Sequence, residues 1–184
     1  MRSDEPGCRC LACQDDGRRL DTIDTNLVTS TADPGWGLLS IPEDDSSAGW
    51  MFTVGLWHSF RAPELAVFGL DQDTATTCLN NIGDLVAAGR ALAPHDDLIE
   101  LFENDQPVTV RTVDERWHRV FFGAALGFYR TTPRVPFLQV VWSDDRGHYP
   151  EHRDFARRLE ALQPRLWLPP DDHPPGPWTE QIPR

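Results

Sequence analysis

Between Gly49 and Gly89 the apolar and polar positions run through three successive patterns. Trp50, Phe52, Val54 and Leu56 alternate with Met51, Thr53 and Gly55, the period of two expected of a strand with one buried face. Gly55 falls inside that run, where a missing side chain marks a bulge or a close backbone approach. Pro63 opens a second segment, in which Leu65, Val67, Phe68 and Leu70 suit a mostly buried strand. Asp73 is then placed to cap a helix, its carboxylate accepting from the first free amides. Cys78, Leu79, Ile82, Leu85 and Val86 recur at helical spacing and form one apolar face, and Gly89 closes the helix.

The flanking patterns are weaker. Leu20, Ile23 and Leu27 give a thin helical stripe, for which Asp15 or Asp16 is the expected cap. Asp33-Pro34-Gly35 is a turn signal. Trp36 to Ile41 is apolar enough for a strand, and Pro42 to Ala48 reads as a hairpin connection. Leu98 to Phe102 fits a short strand or one helical turn, followed by a turn at Asn104-Asp105. Val108, Val110 and Val113 suggest another strand, and GAALGFY from Gly123 a helix. Val135 to Trp142 is a strong strand signal bounded by turn residues. Phe155, Leu159 and Leu162 mark a short amphipathic helix.

Strands outnumber helices and their links are short, so neighbouring strands should be antiparallel. The expected fold class is α+β: a mainly antiparallel sheet, with helices at three places able to cover one face. Residues 1–16 form a Cys-rich segment and 17–167 a single domain. The Pro-rich tail, 168–184, is expected to be largely disordered or extended.

Charge narrows the partners. Seventeen basic against 29 acidic residues give a formal charge of −12, which repels phosphate backbones and argues against nucleic acid. No apolar run approaches the roughly 20 residues that span a bilayer. The first residues lack the apolar stretch of a secretory signal, so the expected location is the cytoplasm and the expected state of the cysteines is thiol or metal ligand.

Three constellations carry candidate chemistry. Cys8-x-Cys10-x-x-Cys13 places thiolates where they can converge on one soft ion, and zinc, which prefers four ligands, is the expected cofactor. His58, His118 and His148 are possible further donors, whereas Cys78 belongs to a buried helix face. Two other readings stay open: a reversible Cys10–Cys13 disulfide, and cysteines with no specific role. In the second constellation, Asp144, Asp145, Arg146 and His148 share a loop. His148 with Asp145 is the candidate acid–base pair, while Asp144 and Arg146 can bind a ligand or shape a capped turn. Thr53, His58, Glu64 and Asn80 form the third. They are expected either as satisfied polar groups or as the lining of a cleft, shared with His148 and Asp145, for a polar small molecule.

The segment Phe52-Thr53-Val54-Gly55-Leu56, then Pro63-Glu64-Leu65, then the Asn80-containing helix, resembles the bacterial family termed domain of unknown function 4262. Trp142-x-Asp144-x-x-Gly147-x-Tyr149-Pro150 is similar to that family's segment after a buried strand, and Cys10-x-x-Cys13 to a pair often found near its start. The likeness covers residues 10 to 155. It departs at Pro34, where the family has His, and at Glu151-His152, where Trp-Asp is often found. The resemblance implies no reaction. No Gly-rich phosphate loop, Gly-x-Ser-x-Gly elbow or His-Glu-x-x-His is present. The expected function is a small-molecule- or peptide-binding accessory module with a Cys-held metal; the alternative is an enzyme using acid–base chemistry around His148.

Overall fold

Local pattern and tertiary context part company at Gly55. The computed structural model describes residues 9–14, 19–98, 107–130 and 134–181. Cys8, Asp15, Asp16, residues 99–102 and the Asn104-Asp105 turn lie outside them. The central strand, β2 (Trp50–Val54), stops one residue before Gly55, whose φ is +128°. A Cβ there would stand 2.7 Å from the Gly35 carbonyl oxygen and 2.7 Å from the Thr31 methyl, so the glycine permits a close backbone approach. Leu56, expected as the last strand residue, instead begins a five-residue helix, α2 (Leu56–Phe60). Strand β3 (Glu64–Phe68) follows, buried along its whole length.

The long helix α3 (Gln72–Ala87) is capped by Asp71, two residues before the expected Asp73. Asp71 accepts from the Thr74 amide at 3.0 Å and from its hydroxyl at 2.6 Å. Asp73 lies in the first turn, where its charge suits the helix dipole. Gly89, with φ +97°, ends the helix as expected: its amide donates to Val86 and that of Arg90 to Leu85, satisfying two terminal carbonyls. Upstream, α1 (Thr22–Ala32) is capped by Asp21, which accepts from the Asp24 amide at 2.8 Å. The stripe expected on this helix is incomplete, because Leu27 is buried while Ile23 is 53% exposed.

With β1 (Gly37–Ile41), β4 (Asp97–Leu98), β5 (Val108–Thr112) and β6 (Phe137–Trp142), the described strands form one sheet in the order β1-β2-β3-β6-β5-β4. β3 and β6 run parallel, in register from Glu64 opposite Phe137 to Val67 opposite Val140. The other neighbours are antiparallel. The fold is α+β.

Helices cover both faces of the sheet, not one. On one side α3 and Trp36 pack over Met51, Leu65, Val67, Val110, Leu138 and Val140. On the other, α4 (His118–Phe121), α5 (Gly123–Tyr129), Cys10 and Leu11 pack over Phe52, Ala66, Phe68 and Phe137. Double coverage explains why β2 buries Met51 as well as Phe52, where alternation predicted one buried face.

The C-terminal portion also departs from expectation. In place of a helix around Phe155 to Leu162 there is a single 3₁₀ turn, Arg157–Leu159. The next residues are tied to β6 by two buried amides. Gln139 donates to Pro164 O at 2.7 Å and accepts from the Leu166 amide at 3.1 Å, while Gln163 donates to Trp142 O at 2.8 Å. Residues 168–181, expected to be disordered or extended, fold back onto the core. There α6 (Pro177–Glu180) inserts Trp178, 2% exposed, with its ring centroid 5.3 Å from that of Phe68. Among the described residues no helix is long and apolar enough to cross a membrane.

Candidate metal centre

The Cys10-to-Cys13 segment is a tight turn. The amides of Cys13 and Gln14 donate to the Cys10 carbonyl at 3.0 and 3.2 Å. Leu11 is buried, and its amide donates to Phe128 O of α5 at 2.9 Å. The turn is thereby fixed to the helical layer, with Cys10 buried and Cys13 exposed.

Facing it is His58, midway along α2. Its Nδ1 lies 3.2 Å from Cys10 Sγ and 3.5 Å from Cys13 Sγ. The three potential ligand atoms lie within 4.8 Å of one another, close enough to hold a metal ion. Burial, and then the Arg61 cation, push the His58 pKa down; the neutral ring they favour is the form that binds metals. His58 is thus the histidine brought to the cysteines. His118 instead packs edge-on against Phe137, with ring centroids 4.9 Å apart. Cys78 is fully buried on α3, and burial pushes its thiol up to about 12.

Beneath α2 lies a buried carboxylate. Glu64 Oε1 accepts from the amides of Gly55 and Trp57, each at 3.0 Å, and Oε2 from the Thr53 hydroxyl at 2.5 Å. The Tyr129 hydroxyl of α5 also donates to Oε1, and itself accepts from the Gly55 amide at 2.9 Å. Thr53 in turn accepts from the Leu65 amide at 2.9 Å. Burial raises the Glu64 pKa against the pull of these four donors, and burial also raises that of Tyr129. Tyr129 has no signal in spacing; its only mark is a polar tip within an otherwise apolar helix.

The remaining predicted residues lie elsewhere. Asn80 Oδ1 accepts from the Trp36 indole at 3.2 Å, within the α3 layer. Asp144 shapes its loop, accepting from the amides of Arg146, His148 and Ala156 at 2.9, 2.9 and 3.1 Å. Burial pushes the Asp144 carboxyl up, but those amides and the His148 ring outweigh it and hold it low. Asp145 is exposed and pairs with Arg158 at 2.9 Å, and the Arg146 side chain is exposed. His148 stacks on His152 with centroids 4.2 Å apart, its Nδ1 3.6 Å from Asp144 Oδ2.

Glu64 and His148 do not meet. Glu64 faces the start of β6, whereas His148 follows its end, a separation of roughly 17–20 Å along a six-residue strand. A cleft of about 440 Å³ lies instead between the β1–β2 hairpin and the start of α3, lined by Ser40, Glu43, Trp50, Asp71 and Gln72 among others. Among the described residues, none of the predicted site residues lines it.

A family model described as "Domain of unknown function (DUF4262)" matches residues 31–156. Comparison with curated proteins and with solved structures gives no match.

Proposed function

We propose, for a chain that belongs to the DUF4262 family, a binding or accessory module in which Cys10, Cys13 and His58 hold a zinc ion. The observation that carries this reading is that two sulfurs approach one ring nitrogen, at 3.2 and 3.5 Å. A lone imidazole nitrogen has a single lone pair or a single proton, and so satisfies one thiol well. Three vertices of a tetrahedron account for both contacts. With metal–sulfur bonds of about 2.3 Å and metal–nitrogen bonds of about 2.0–2.1 Å, a sulfur and a nitrogen vertex stand about 3.5 Å apart. Two thiolates and an imidazole suit zinc's ligand preference. The fourth position falls to Cys8 or to water. Glu64 and Asn80 are hydrogen-bonded locally and do not line the cleft beside the β1–β2 hairpin, which favours a small-molecule- or peptide-binding accessory module over an enzyme built on the predicted residues.

Elemental analysis and native mass spectrometry of protein purified without a metal-affinity tag test this. About one zinc per chain is expected, lost in Cys10→Ser/Cys13→Ser and in His58→Ala. Metal-free protein that takes up no added zinc refutes it.

A second reading, an enzyme acting on a small molecule or peptide, draws on His148. The carboxylate beside its ring is that of Asp144, so the acid–base pair would be His148 with Asp144, Asp145 being turned to Arg158. Loss of a ligand-dependent activity in His148→Ala would support it.

A further inference from the structure

We propose that Glu64 and Tyr129 position the two halves of the metal centre, holding His58 and the Cys10–Cys13 turn at one fixed separation. This inference rests on the metal reading above.

The two halves come from distant parts of the chain, 48 residues apart between Cys10 and His58. α2, which carries His58, has only five residues and begins at Gly55 without a capping side chain. A helix this short does not hold itself in water. Glu64 supplies from outside the helix the acceptor that a capping side chain would give. Its Oε1 takes the amide of Gly55 at the start and that of Trp57, the residue before His58.

The other half is tied to the same oxygen. Tyr129 donates to Glu64 Oε1 and accepts from the Gly55 amide. Its neighbour in α5, Phe128, offers the carbonyl that receives the Leu11 amide, one residue from Cys10. A continuous route therefore runs from His58 through Trp57, Glu64, Tyr129, Phe128 and Leu11 to Cys10, made of short covalent steps and three hydrogen bonds. Glu64 is 0% and Tyr129 4% exposed, so water does not compete for these bonds.

The acceptor also explains why a carboxylate stands there. Four donors converge on Glu64: the Thr53 hydroxyl, the Gly55 and Trp57 amides, and the Tyr129 hydroxyl. A glutamine would turn N–H groups toward a place already filled by the Thr53 O–H. Its donors, two backbone amides of the α2 start and the Thr53 and Tyr129 hydroxyls, make Glu64 a positioning residue. Groups that hydrogen-bond a ligand side chain directly typically change metal affinity by about 10–100-fold when altered. Glu64 and Tyr129 act through the backbone, so the lower end, about tenfold, is expected of them.

The test is zinc affinity by competition with a chromophoric chelator, paired with the cobalt(II) absorption spectrum. The proteins compared are wild type, Tyr129→Phe, Glu64→Gln and Val140→Ala. Val140 lies on the opposite sheet face, so its variant controls for general destabilisation. Expected is a loss of affinity of about tenfold for Tyr129→Phe and Glu64→Gln, the lower end of the range for groups that orient metal ligands, with altered cobalt bands, while Val140→Ala keeps the wild-type spectrum and affinity. Tyr129→Phe preserves the ring packing and decides the matter alone if Glu64→Gln does not fold. Wild-type affinity and spectrum in Tyr129→Phe overturn the proposal and leave the metal reading standing. No binding by wild type overturns both, and is thereby distinguished.

Discussion

Cys10 Sγ stands 3.2 Å from His58 Nδ1, the burial of Cys10 contrasting with the exposure of Cys13 only three residues on. The pair joins the N-terminal turn to a helix on the far side of β1 and β2 in sequence. An ion between them would make that junction depend on ligand protonation and on thiol access.

Thiol access gives the first prediction. Alkylation followed by mass spectrometry should show Cys10 and Cys13 protected in the zinc-loaded protein. A chelator should expose Cys13 first, because its side chain already faces solvent, and Cys10 more slowly. Cys78, with its thiol pushed up to about 12 and no exposed surface, should react only in denaturant.

The contribution of His173 to stability should fall in mild acid. His173 Nε2 accepts from the Arg165 amide at 3.0 Å, and its Nδ1 faces Pro174 O at 2.7 Å, an arrangement that requires the neutral ring. Burial pushes the pKa values of both His173 and His118 below the ordinary value of 6.5. A histidine with a lowered folded pKa binds fewer protons folded than unfolded, so its contribution is present above about pH 6.5 and lost as pH falls through the shifted value. Glu64, raised above 4.5, acts with the opposite sign, so a variant is needed to isolate the histidine. Thermal melting from about pH 7.5 to 5.5 should show a shallower acid loss in His173→Gln, whose side-chain oxygen can still accept from Arg165.

Gly55→Ala should cost about 2–4 kcal/mol in urea unfolding, combining positive-φ strain with overlap of neighbouring atoms. The φ of +128° and a 2.7 Å approach to Gly35 O leave no room for a methyl group. Because the same glycine starts α2, zinc affinity should fall with stability.

What the sequence reveals follows the range over which each signal acts. β2, β3, α3 and β6 are written in local periodicity, and so is the Cys10-x-x-Cys13 pair. The choice of His58 over His118 and His148 depends on how the N-terminal turn docks on α5, which no spacing records. Tyr129 meets Glu64 only because the crossover between β3 and β6 returns α5 to that face of the sheet. The cap at Asp71 and not Asp73 is a smaller case: two aspartates two residues apart offer equal chemistry, and backbone direction selects between them.

The C-terminal residues make the same point about composition. Proline-rich and polar, residues 168–181 lack any periodic signal, yet Trp178 fills a space bounded by Trp50, Phe68 and Phe121. Trp178→Ala should therefore destabilise the protein by about 3–5 kcal/mol, measured by denaturant unfolding. A change near zero would mean that this segment does not pack on the core in solution.

The most direct test of the metal centre is X-ray absorption at the zinc edge on the zinc-loaded protein. The account predicts at least two sulfur neighbours at about 2.3 Å and a nitrogen shell at about 2.0–2.1 Å, with imidazole scattering lost in His58→Ala. A shell of oxygen and nitrogen alone, or a spectrum unchanged in the Cys10→Ser/Cys13→Ser variant, would contradict it.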